Sequence, residues 1–310
     1  MIVATAEDVR RTLPMAKAIE LVAEAMVAVS KGKANLPLRT AMDIDGVNRL
    51  GIMPGVLGDI YGVKLISLFP GNPAKGLSSH IGAMVLFAPE TGAPNAMVDA
   101  DALTAIRTAA ASAVATRALA RADAKTLAII GTGEQALSHI EAICLVRDID
   151  DIRIAGRTAE RAQAFVRGLP ATLNATAYTS AQEAVQGADI ICTVTSSATP
   201  VLQGKWVPKG AHINAVGASV PTMQEIDQSV LLGSKVFTDY RPSALAQARE
   251  IIAAISEGKM DENHILGEIG ELLSGKVQGR SGPEAITLYR SLGIAAQDLI
   301  CADFVRQASA

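Results

Sequence analysis

The sequence predicts an α/β protein in which a doubly wound parallel sheet is joined to a second, mixed α+β domain. Three observations lead to this prediction. Short β-like runs follow one another in the first third of the chain, strand-like and helix-like segments alternate after residue 125, and a glycine-rich turn joins the first of these later strands to its helix. Strands in series favour an antiparallel sheet, whereas regular alternation favours a parallel one.

The composition of the 310 residues narrows the class of function. Apolar residues make up 49%, enough for a sizeable core, whereas aromatic residues make up only 3% and the net charge is −3. This balance excludes a basic, aromatic surface for nucleic acid. No apolar run has the length of a membrane span, and no basic start followed by an apolar run indicates a signal peptide. We therefore expect a cytoplasmic protein with neither nucleic-acid nor membrane partners.

Metal-binding and redox residues are sparse. The four histidines are scattered, and the three cysteines, Cys144, Cys192 and Cys301, lie far apart. This spacing predicts no metal site and no disulfide framework. Each cysteine is expected to be a small core residue.

The first third of the chain begins with a helix at 14–30, where Ile19, Val22, Met26 and Val29 recur at helical spacing. Turn residues then separate a series of β-like runs, which predict an antiparallel sheet. An alanine-rich segment without glycine or proline predicts a helix at 101–120 that bridges the domains. The β-like runs are 36–42, 49–53, 61–69, 81–87 and 94–98.

The second part of the chain alternates strand and helix, and the tail ends in a last helix. Because ligands of doubly wound sheets bind at the carboxyl ends of the strands, residues 194–200 and 215–219 are expected beside the glycine turn. We expect a domain of residues 115–291, and a first domain of residues 1–114 that is completed by the C-terminal helix 292–310. The predicted strands are 126–130, 152–155, 176–178, 189–195, 212–216 and 236–238.

The glycine turn lies in the stretch TLAIIGTGEQALSHIEAICL. Gly131 would allow a tight turn, Gly133 would let a pyrophosphate approach the backbone, and Ala136 is small enough for close packing of helix on strand. Free N–H groups at the helix start favour an anion. An ordinary strand–turn–helix with glycines in its turn is the alternative. The strand before the motif and the helix after it favour a dinucleotide site in a Rossmann fold.

The residues after the second strand of this domain indicate which dinucleotide binds. An acid commonly stands there to bind the ribose 2′-hydroxyl of NAD. Here Gly156, Arg157 and Thr158 occupy that place, whereas Asp150 and Asp151 precede the strand. A guanidinium and a hydroxyl suit a 2′-phosphate, so the sequence predicts NADP, with NAD less favoured. The alternative is that Arg157 is a solvated surface residue.

Three cations stand out in apolar surroundings. Lys64 lies in YGVKLISLF, Arg107 in DALTAIRTAAASA and Arg39 in LPLRTAM. A substrate that carries a carboxylate would explain two arginines and a lysine in one site, with Lys64 as a desolvated ammonium that donates a proton or binds a carbonyl. Spacing alone does not establish that the three converge, and Lys64 could instead extend to solvent at a sheet edge.

Six blocks of the sequence, in this order, give the chain a specific resemblance. Nearly the whole chain resembles the ornithine cyclodeaminase/mu-crystallin family, which implies a Rossmann domain and a substrate domain that also forms a homodimer. The blocks are GVKLISLFPGN, GLSSHIGAMVLFAPETGAP, TAIRTAAASA, GTGEQA, GKWVPKGAHINAVGAS and SLGIAAQD.

The resemblance also implies roles for individual residues. Lys64 and Arg107 are expected to be catalytic and, with Arg39, to face the substrate carboxylate and the reacting carbon; Met53 and Ser219 are also expected to bind the substrate. The expected cofactor-binding residues include those of the glycine turn and of the segment after the second strand. They are Ser79, Arg107, Gly131, Gly133, Glu134, Gln135, Ala136, Arg157, Thr158, Thr195, Val216, Ser219, Ser291 and Gly293.

Two positions distinguish the reactions within this family. Ser219 stands where the cyclodeaminases and some alanine dehydrogenases have an aspartate, and Gly51 stands where the cyclodeaminases have a glutamate. At both places the chain resembles the mu-crystallin-like ketimine reductases, as it does at His80, although a histidine satisfied by the backbone is an equal alternative there.

The sequence therefore predicts an NADP(H)-dependent reductase of α-imino acids, reversible as an L-amino-acid dehydrogenase. Pyrroline-2-carboxylate, piperideine-2-carboxylate, the imine of alanine and iminosuccinate remain open as substrates. The alternatives are an NAD-dependent ornithine cyclodeaminase and a non-enzymatic protein that binds NADPH or another small ligand. An intact Lys64 and Arg107 argue against pure binding, which has less need of a buried ammonium.

Overall fold

The computed structural model describes residues 1–309 and divides the chain into two compact units. Unit 1 contains Met1–Arg107 and the chain from Gly293 onward, and unit 2 contains Thr108–Leu292. The predicted division into a substrate and dimerisation domain (1–114 with 292–310) and a cofactor domain (115–291) assigns functions as well as bounds, and those functions stay a prediction.

Unit 1 is built on a seven-stranded sheet. Its strands are β1 (Ile2–Ala4), β2 (Ala34–Asn35), β3 (Thr40–Asp43), β4 (Arg49–Leu57), β5 (Ile60–Leu68), β6 (His80–Phe87) and β7 (Pro94–Asp99). They lie in the order β1-β7-β6-β5-β4-β2, and β3 also pairs with β4. The helices of this part of the chain are α1 (Ala6–Thr12), α2 (Met15–Ser30), α3 (Ala100–Leu119), which continues into unit 2, and α11 (Ala295–Ala308).

Two details of this sheet differ from the sequence prediction. The strand expected at 36–42 begins only at Thr40, with β3, and the preceding strand β2 ends at Asn35; Pro37, between them, has no N–H to donate to a ladder. The sheet is mixed rather than antiparallel, because β1 pairs in parallel with β7. A strand of three residues is too short for its periodicity to be read from sequence.

Helix α11 packs against the sheet at a glycine. A Cβ atom added at Gly55 in β4 would lie 2.9 Å from the Cβ of Ala295, so the helix approaches the strand more closely than a larger residue would allow. Leu57 on the same strand, Met84 on β6 and Val98 on β7 are buried. This contact sets α11 over the middle of the sheet, where Lys64 lies on β5.

Unit 2 is built on eight parallel strands in the order β10-β9-β8-β11-β12-β15-β13-β14. The strands are β8 (Thr126–Ile130), β9 (Asp151–Ala155), β10 (Ala175–Tyr178), β11 (Ile190–Thr193), β12 (His212–Ala215), β13 (Lys235–Thr238), β14 (Ile265–Glu268) and β15 (Thr287–Arg290). The helices are α4 (Glu134–Cys144), α5 (Ala159–Arg167), α6 (Ala181–Val185), α7 (Gln228–Leu232), α8 (Arg241–Gln247), α9 (Arg249–Ser256) and α10 (Ile269–Leu273).

The predicted fold class is confirmed. Each of the six strands expected in this part of the chain corresponds to an observed one, and the strand order reverses between β8 and β11, as in doubly wound sheets. Strands β14 and β15 were missed. Strand β15 is only four residues long and includes the fully buried Arg290, whose charge hides the apolar pattern of a central strand.

The expectation that each cysteine is a small core residue has a mixed outcome. Cys192 and Cys301 are buried as expected, but Cys144 is only half-buried at the end of α4, so the prediction of a core residue is wrong there. Within residues 1–309, no helix is long and apolar enough to cross a membrane. The same residues contain no group of three or more side chains arranged to hold a metal ion.

Candidate active site

Lys64 occupies the middle of the sheet of unit 1. It lies on β5 directly opposite Met53 of β4 and Met84 of β6. Its side chain is on the face that α11 covers, and it is only 2% exposed. A buried ammonium is costly unless it is paired, so its partners matter.

One carboxylate binds both Lys64 and Arg107. Asp298, in the first turn of α11, accepts from Lys64 Nζ at 3.0 Å and from Arg107 Nε at 2.9 Å, both at its Oδ1 atom. All three side chains are buried. Arg107 Nη1 also donates to Gln297 Oε1 at 3.2 Å. The three ionised groups leave one positive charge in excess, which favours an anionic ligand.

The charges and the burial of these groups shift the pKa values of Lys64 and Asp298. Burial lowers the pKa of Lys64 from 10.5 to about 8; Asp298 opposes this shift, and the nearby Arg107 and Arg39 add to it. Burial alone would raise the pKa of Asp298, but Arg107 and Lys64 outweigh burial and hold this pKa below its ordinary value. The result is a lysine that exchanges a proton near neutral pH beside a carboxylate that stays ionised.

Arg39 joins the same cluster through Gly293. Its Nη2 atom donates to the carbonyl oxygen of Gly293 at 2.5 Å. Gly293 has a φ of 72°, and a Cβ atom there would lie 2.5 Å from Arg107 Nη1, so this position requires glycine. The turn before α11 therefore brings Arg39 close to Lys64 and Arg107, the convergence that sequence spacing did not establish.

His80 and Ser79 lie at the start of β6. His80 Nδ1 is 2.8 Å from Ser79 Oγ, and Ser78 Oγ donates to Asp101 Oδ1 at 3.2 Å. His80 is exposed at the surface, yet desolvation by the protein atoms around it lowers its pKa; the charge of Lys64 lowers this pKa further, and Asp101 opposes the change. These shifts favour the neutral form of the imidazole, and His80 lies within electrostatic reach of Lys64.

The glycine turn of unit 2 has the geometry that its sequence predicts. Gly131 has a φ of 132°, and a Cβ atom there would lie 2.7 Å from the carbonyl oxygen of Val194. Gly133 is the extended N-cap of α4 without a side-chain cap, and a Cβ atom on it would meet nothing within 4 Å. The N–H groups of Gly131 and Ala136 already donate to the carbonyl oxygens of Ala155 and Gly133, so the part of the turn that adjoins open space and suits a phosphate is Gly133, at the start of α4.

The remaining predicted residues of unit 2 follow the carboxyl ends of other strands. Because all eight strands are parallel, these positions meet at one edge of the sheet. Arg157 and Thr158 follow β9, Thr195 follows β11, Val216 and Ser219 follow β12, and Ser291 follows β15.

The segment after β9 presents a cation beside a helix start. Thr158 is the N-cap of α5, and its Oγ1 atom accepts from the Arg161 N–H at 3.4 Å. Arg157 is exposed. In the described part of the chain its side chain makes no hydrogen bond or ion pair, so its guanidinium is available to a ligand.

Sequence reasoning missed Asp298 and Gln297, although both lie in or beside a block that carried the family resemblance. A signal was present: Ala295, Asp298, Ala302 and Val305 recur at the spacing of one helix face, and all are buried. A carboxylate at an apolar position of such a face indicates a buried cationic partner.

Comparison with curated proteins gives relatives over nearly the whole chain. The profile of the ornithine cyclodeaminase/mu-crystallin family matches residues 1–310. A Delta(1)-pyrroline-2-carboxylate reductase of Bacillus cereus is 37% identical over 311 residues, covering 98% of this chain and 95% of the relative. The ketimine reductase mu-crystallin of Mus musculus is 36% identical over 258 residues, covering 83% and 79%.

Solved structures agree with these relatives. The Delta(1)-pyrroline-2-carboxylate reductase of Thermococcus litoralis, in complex with NADH and L-proline, has a TM-score of 0.95 and 35% identity, covering 99% of this chain and 97% of that one. An archaeal alanine dehydrogenase dimer with bound NAD has a TM-score of 0.92 and 34% identity, covering 99% and 95%. The chain belongs to the ornithine cyclodeaminase/mu-crystallin family.

Proposed function

We propose that this protein is an NADPH-dependent reductase of α-imino acids that also runs in reverse as an L-amino-acid dehydrogenase. The proposal rests on the buried group of Lys64, Arg107 and Asp298. In this group the ammonium of Lys64 can exchange a proton, and the guanidinium of Arg107 can bind a carboxylate. The relatives named above reduce pyrroline-2-carboxylate or ketimines or oxidise alanine, which supports this reaction class.

We further propose that unit 2 binds the nicotinamide cofactor and that unit 1 binds the substrate. The open backbone at Gly133 and the uncapped start of α4 fit a pyrophosphate, and Arg157 fits a 2′-phosphate. When bound, the nicotinamide would supply the hydride that reduces the imine carbon.

The residues of unit 1 supply binding and the proton. Arg107 and Arg39 bind the substrate carboxylate through paired N–H donors. Lys64, as an ammonium, donates a proton to the imine nitrogen as the carbon–nitrogen double bond becomes a single bond. In the reverse direction neutral Lys64 accepts that proton, and a pKa of about 8 allows both states near neutral pH. Asp298 holds Lys64 and Arg107 in place.

The second candidate is an ornithine cyclodeaminase, and two residues disfavour it. Deamination with ring closure requires a base for the α-amine and a group that holds the distal amine. Ser219 is a poor base at neutral pH without an activating partner, and Gly51 has no side chain. An imine, by contrast, arrives already formed, so hydride, a proton and a bound carboxylate suffice.

A substrate panel tests the proposed function. We expect NADPH oxidation with pyrroline-2-carboxylate, piperideine-2-carboxylate, the alanine imine or iminosuccinate, and ornithine conversion to proline and ammonia at least about a hundredfold slower, since a missing base costs roughly that factor. Ser219→Asp should raise amino-acid oxidation relative to imine reduction. Proline formation at a rate comparable to imine reduction would instead favour the cyclodeaminase, and no turnover of any imine would favour a binding protein.

We predict that NADPH is preferred over NADH. The two solved relatives hold NADH and NAD, so this preference rests on Arg157 and Thr158. Arg157→Ala should cost about 1.5–3 kcal/mol in kcat/KM with NADPH, the range for a hydrogen bond to a charged group, and leave kcat/KM with NADH nearly unchanged. Arg167→Ala, at the other end of α5, is the control. Equal use of both cofactors by the unmodified protein would contradict the prediction.

The sheet of unit 1 supports the proposal of a homodimer. One of its faces is buried under α11, yet the opposite face is apolar rather than polar, contrary to the usual pattern of a one-sided antiparallel sheet. Val3, Met97, Val85 and Val63 are paired in one row across that face. Val3 is 55% exposed and Met97 38%. A continuous apolar face of this kind favours a second copy as its partner, and the archaeal alanine dehydrogenase is a dimer.

Met97→Glu is expected to convert the dimer into a monomer. A charge buried without a partner costs on the order of 3 kcal/mol, which raises the dissociation constant about a hundredfold. Light scattering during gel filtration at micromolar concentration measures the mass. Leu232→Glu is the matched control, because Leu232 is 37% exposed on α7 of unit 2 and should leave the dimer intact. A monomer mass for the unmodified protein would contradict the proposal.

A further inference from the structure

A buried carboxylate joins two of the loops at the carboxyl edge of the parallel sheet in unit 2. Glu225 is 2% exposed and lies between β12 and α7. It accepts four hydrogen bonds: from Thr195 N at 2.5 Å, Thr193 Oγ1 at 3.0 Å, Gly217 N at 2.6 Å and Ala218 N at 3.2 Å. Thr193 is the last residue of β11 and Thr195 lies just after it, and the other two donors lie just after β12.

The two loops touch through their backbones at Gly217. A Cβ atom on Gly217 would lie 2.0 Å from the carbonyl oxygen of Thr195 and 2.8 Å from Glu225 Oε1. Only glycine allows this approach, so the loops cannot separate or slide without losing the contact. Their backbone N–H groups therefore converge on one point, which Glu225 fills.

Other contacts fix Glu225 and the second loop. The carbonyl oxygen of Glu225 accepts from Val201 N at 2.7 Å and Leu202 N at 2.9 Å, which anchors its backbone. On the other side of the second loop, Arg290 Nη2 donates to the carbonyl oxygen of Ala218 at 2.5 Å. Arg290 is itself held by a buried ion pair with Glu250. The loop that carries Val216 and Ser219 is thus held by a carboxylate at its N–H groups and by a guanidinium at a carbonyl.

We infer that Glu225 is a positioning residue. Its carboxylate is an internal anion that fills the site lined by backbone N–H groups at the ends of β11 and β12. It thereby fixes Thr195, Val216 and Ser219 for cofactor binding. Converging backbone N–H groups at such a sheet edge attract anions. With Glu225 in place, the glycine turn at Gly131–Gly133 is left to receive the pyrophosphate. The cofactor part of this inference rests on the proposed function.

The substitution Glu225→Gln tests the role with little change in volume. A glutamine keeps one acceptor oxygen but places an NH2 group against N–H donors, so it cannot satisfy all four. We expect amide hydrogen exchange of Thr195, Gly217 and Ala218 to accelerate at least about tenfold, and the Kd for NADPH to rise by a similar factor. Both measurements use the full chain.

Chemical rescue separates a lost anion from a general loss of stability. In Glu225→Ala, formate in excess should occupy the emptied site, slow the exchange of the same three amides again and lower the Kd for NADPH. If Glu225→Ala fails to fold, the exchange rates and Kd of Glu225→Gln decide the role alone.

Asp227→Ala is the matched control. Asp227 lies two residues from Glu225 and accepts from Val230 N at 2.9 Å, Ser229 Oγ at 2.7 Å and Gly204 N at 3.2 Å, but from neither of the two loops. Its loss should lower the Tm and leave the exchange of Thr195 and Gly217 and the Kd for NADPH unchanged.

Three results would overturn the inference: unchanged amide exchange in Glu225→Gln, an equal loss of NADPH affinity in Asp227→Ala, or no effect of formate on a folded Glu225→Ala. If the unmodified protein bound neither nicotinamide cofactor, the proposed function would be wrong, but the role of Glu225 would still be testable. Amide exchange and its response to formate would then decide whether Glu225 fixes the loops.

Discussion

Replacing Lys64 with methionine is expected to lower imine reduction by about 10²–10⁴-fold, the usual contribution of a positioned general acid, while the protein still folds and binds NADPH. Methionine keeps the apolar stem and the volume of the buried lysine but removes the proton and the charge. Asp298 keeps its hydrogen bond to Arg107, so no buried carboxylate is left without a partner. Cofactor affinity should survive, because Lys64 belongs to unit 1 and the glycine turn to unit 2.

Two further variants make the result specific. Lys64→Arg keeps a positive charge that can pair with Asp298 but does not release a proton near neutral pH, so it should stay inactive if Lys64 donates a proton. Recovery of turnover in Lys64→Arg would reduce the role of Lys64 to charge alone. Lys235→Met, at the exposed start of β13, is the control and should keep full turnover. Loss of NADPH binding in Lys64→Met, or near-normal turnover, would contradict the assignment.

The parts of the fold that sequence could predict depend on local patterns. The alternation of strands and helices in unit 2 and the turn at Gly131 and Gly133 need only neighbouring residues, and both are observed. Strand β15 was missed because Arg290 interrupts its apolar pattern, and its compensating partner Glu250 is distant in sequence. A buried ion pair between separate elements cannot be recognised from the residues on either side of one partner.

The site was predictable only as a set of isolated cations. Lys64 and Arg107 are conspicuous because each is a charge in an apolar segment, but Asp298, which binds both, is 234 residues from Lys64. Which helix covers the sheet at Lys64 depends on packing details such as the close contact of Gly55 with Ala295. The family resemblance supplied the expectation of convergence, and the geometry of α11 supplies its physical cause.

Asp298→Asn is expected to lower the free energy of unfolding by about 3–5 kcal/mol, the usual cost of removing one partner from a buried ion pair. The amide cannot balance the two cations that share Asp298 Oδ1. Denaturation by urea at pH 7 measures the loss. Asp303→Asn is the matched control on the same helix: its carboxylate pairs with Arg306 near the surface, and its loss should cost within about 1 kcal/mol.

The pH dependence of stability follows from the same groups. Since the pKa of Lys64 is about 8 in the folded protein and 10.5 in an exposed lysine, the unfolded chain binds the additional proton between these values. The stability contributed by this group therefore rises as the pH increases from about 8 to 10.5. In the folded protein the pKa of Asp298 is below its ordinary value. The stability that this carboxylate contributes is therefore fully present at pH values above the ordinary pKa and is lost as the pH falls through the lower pKa of the folded state.

The activity of Asp298→Asn separates proton donation from structural support. If protonated Lys64 is the donor, kcat/KM for imine reduction in the unmodified protein falls above about pH 8. Asp298 opposes the lowering of that pKa, so without its charge the alkaline limb should move to lower pH in every molecule that remains folded. A stability loss with an unmoved alkaline limb would mean that Asp298 supports the fold without setting the protonation of the donor, and that the proton comes from a group other than Lys64.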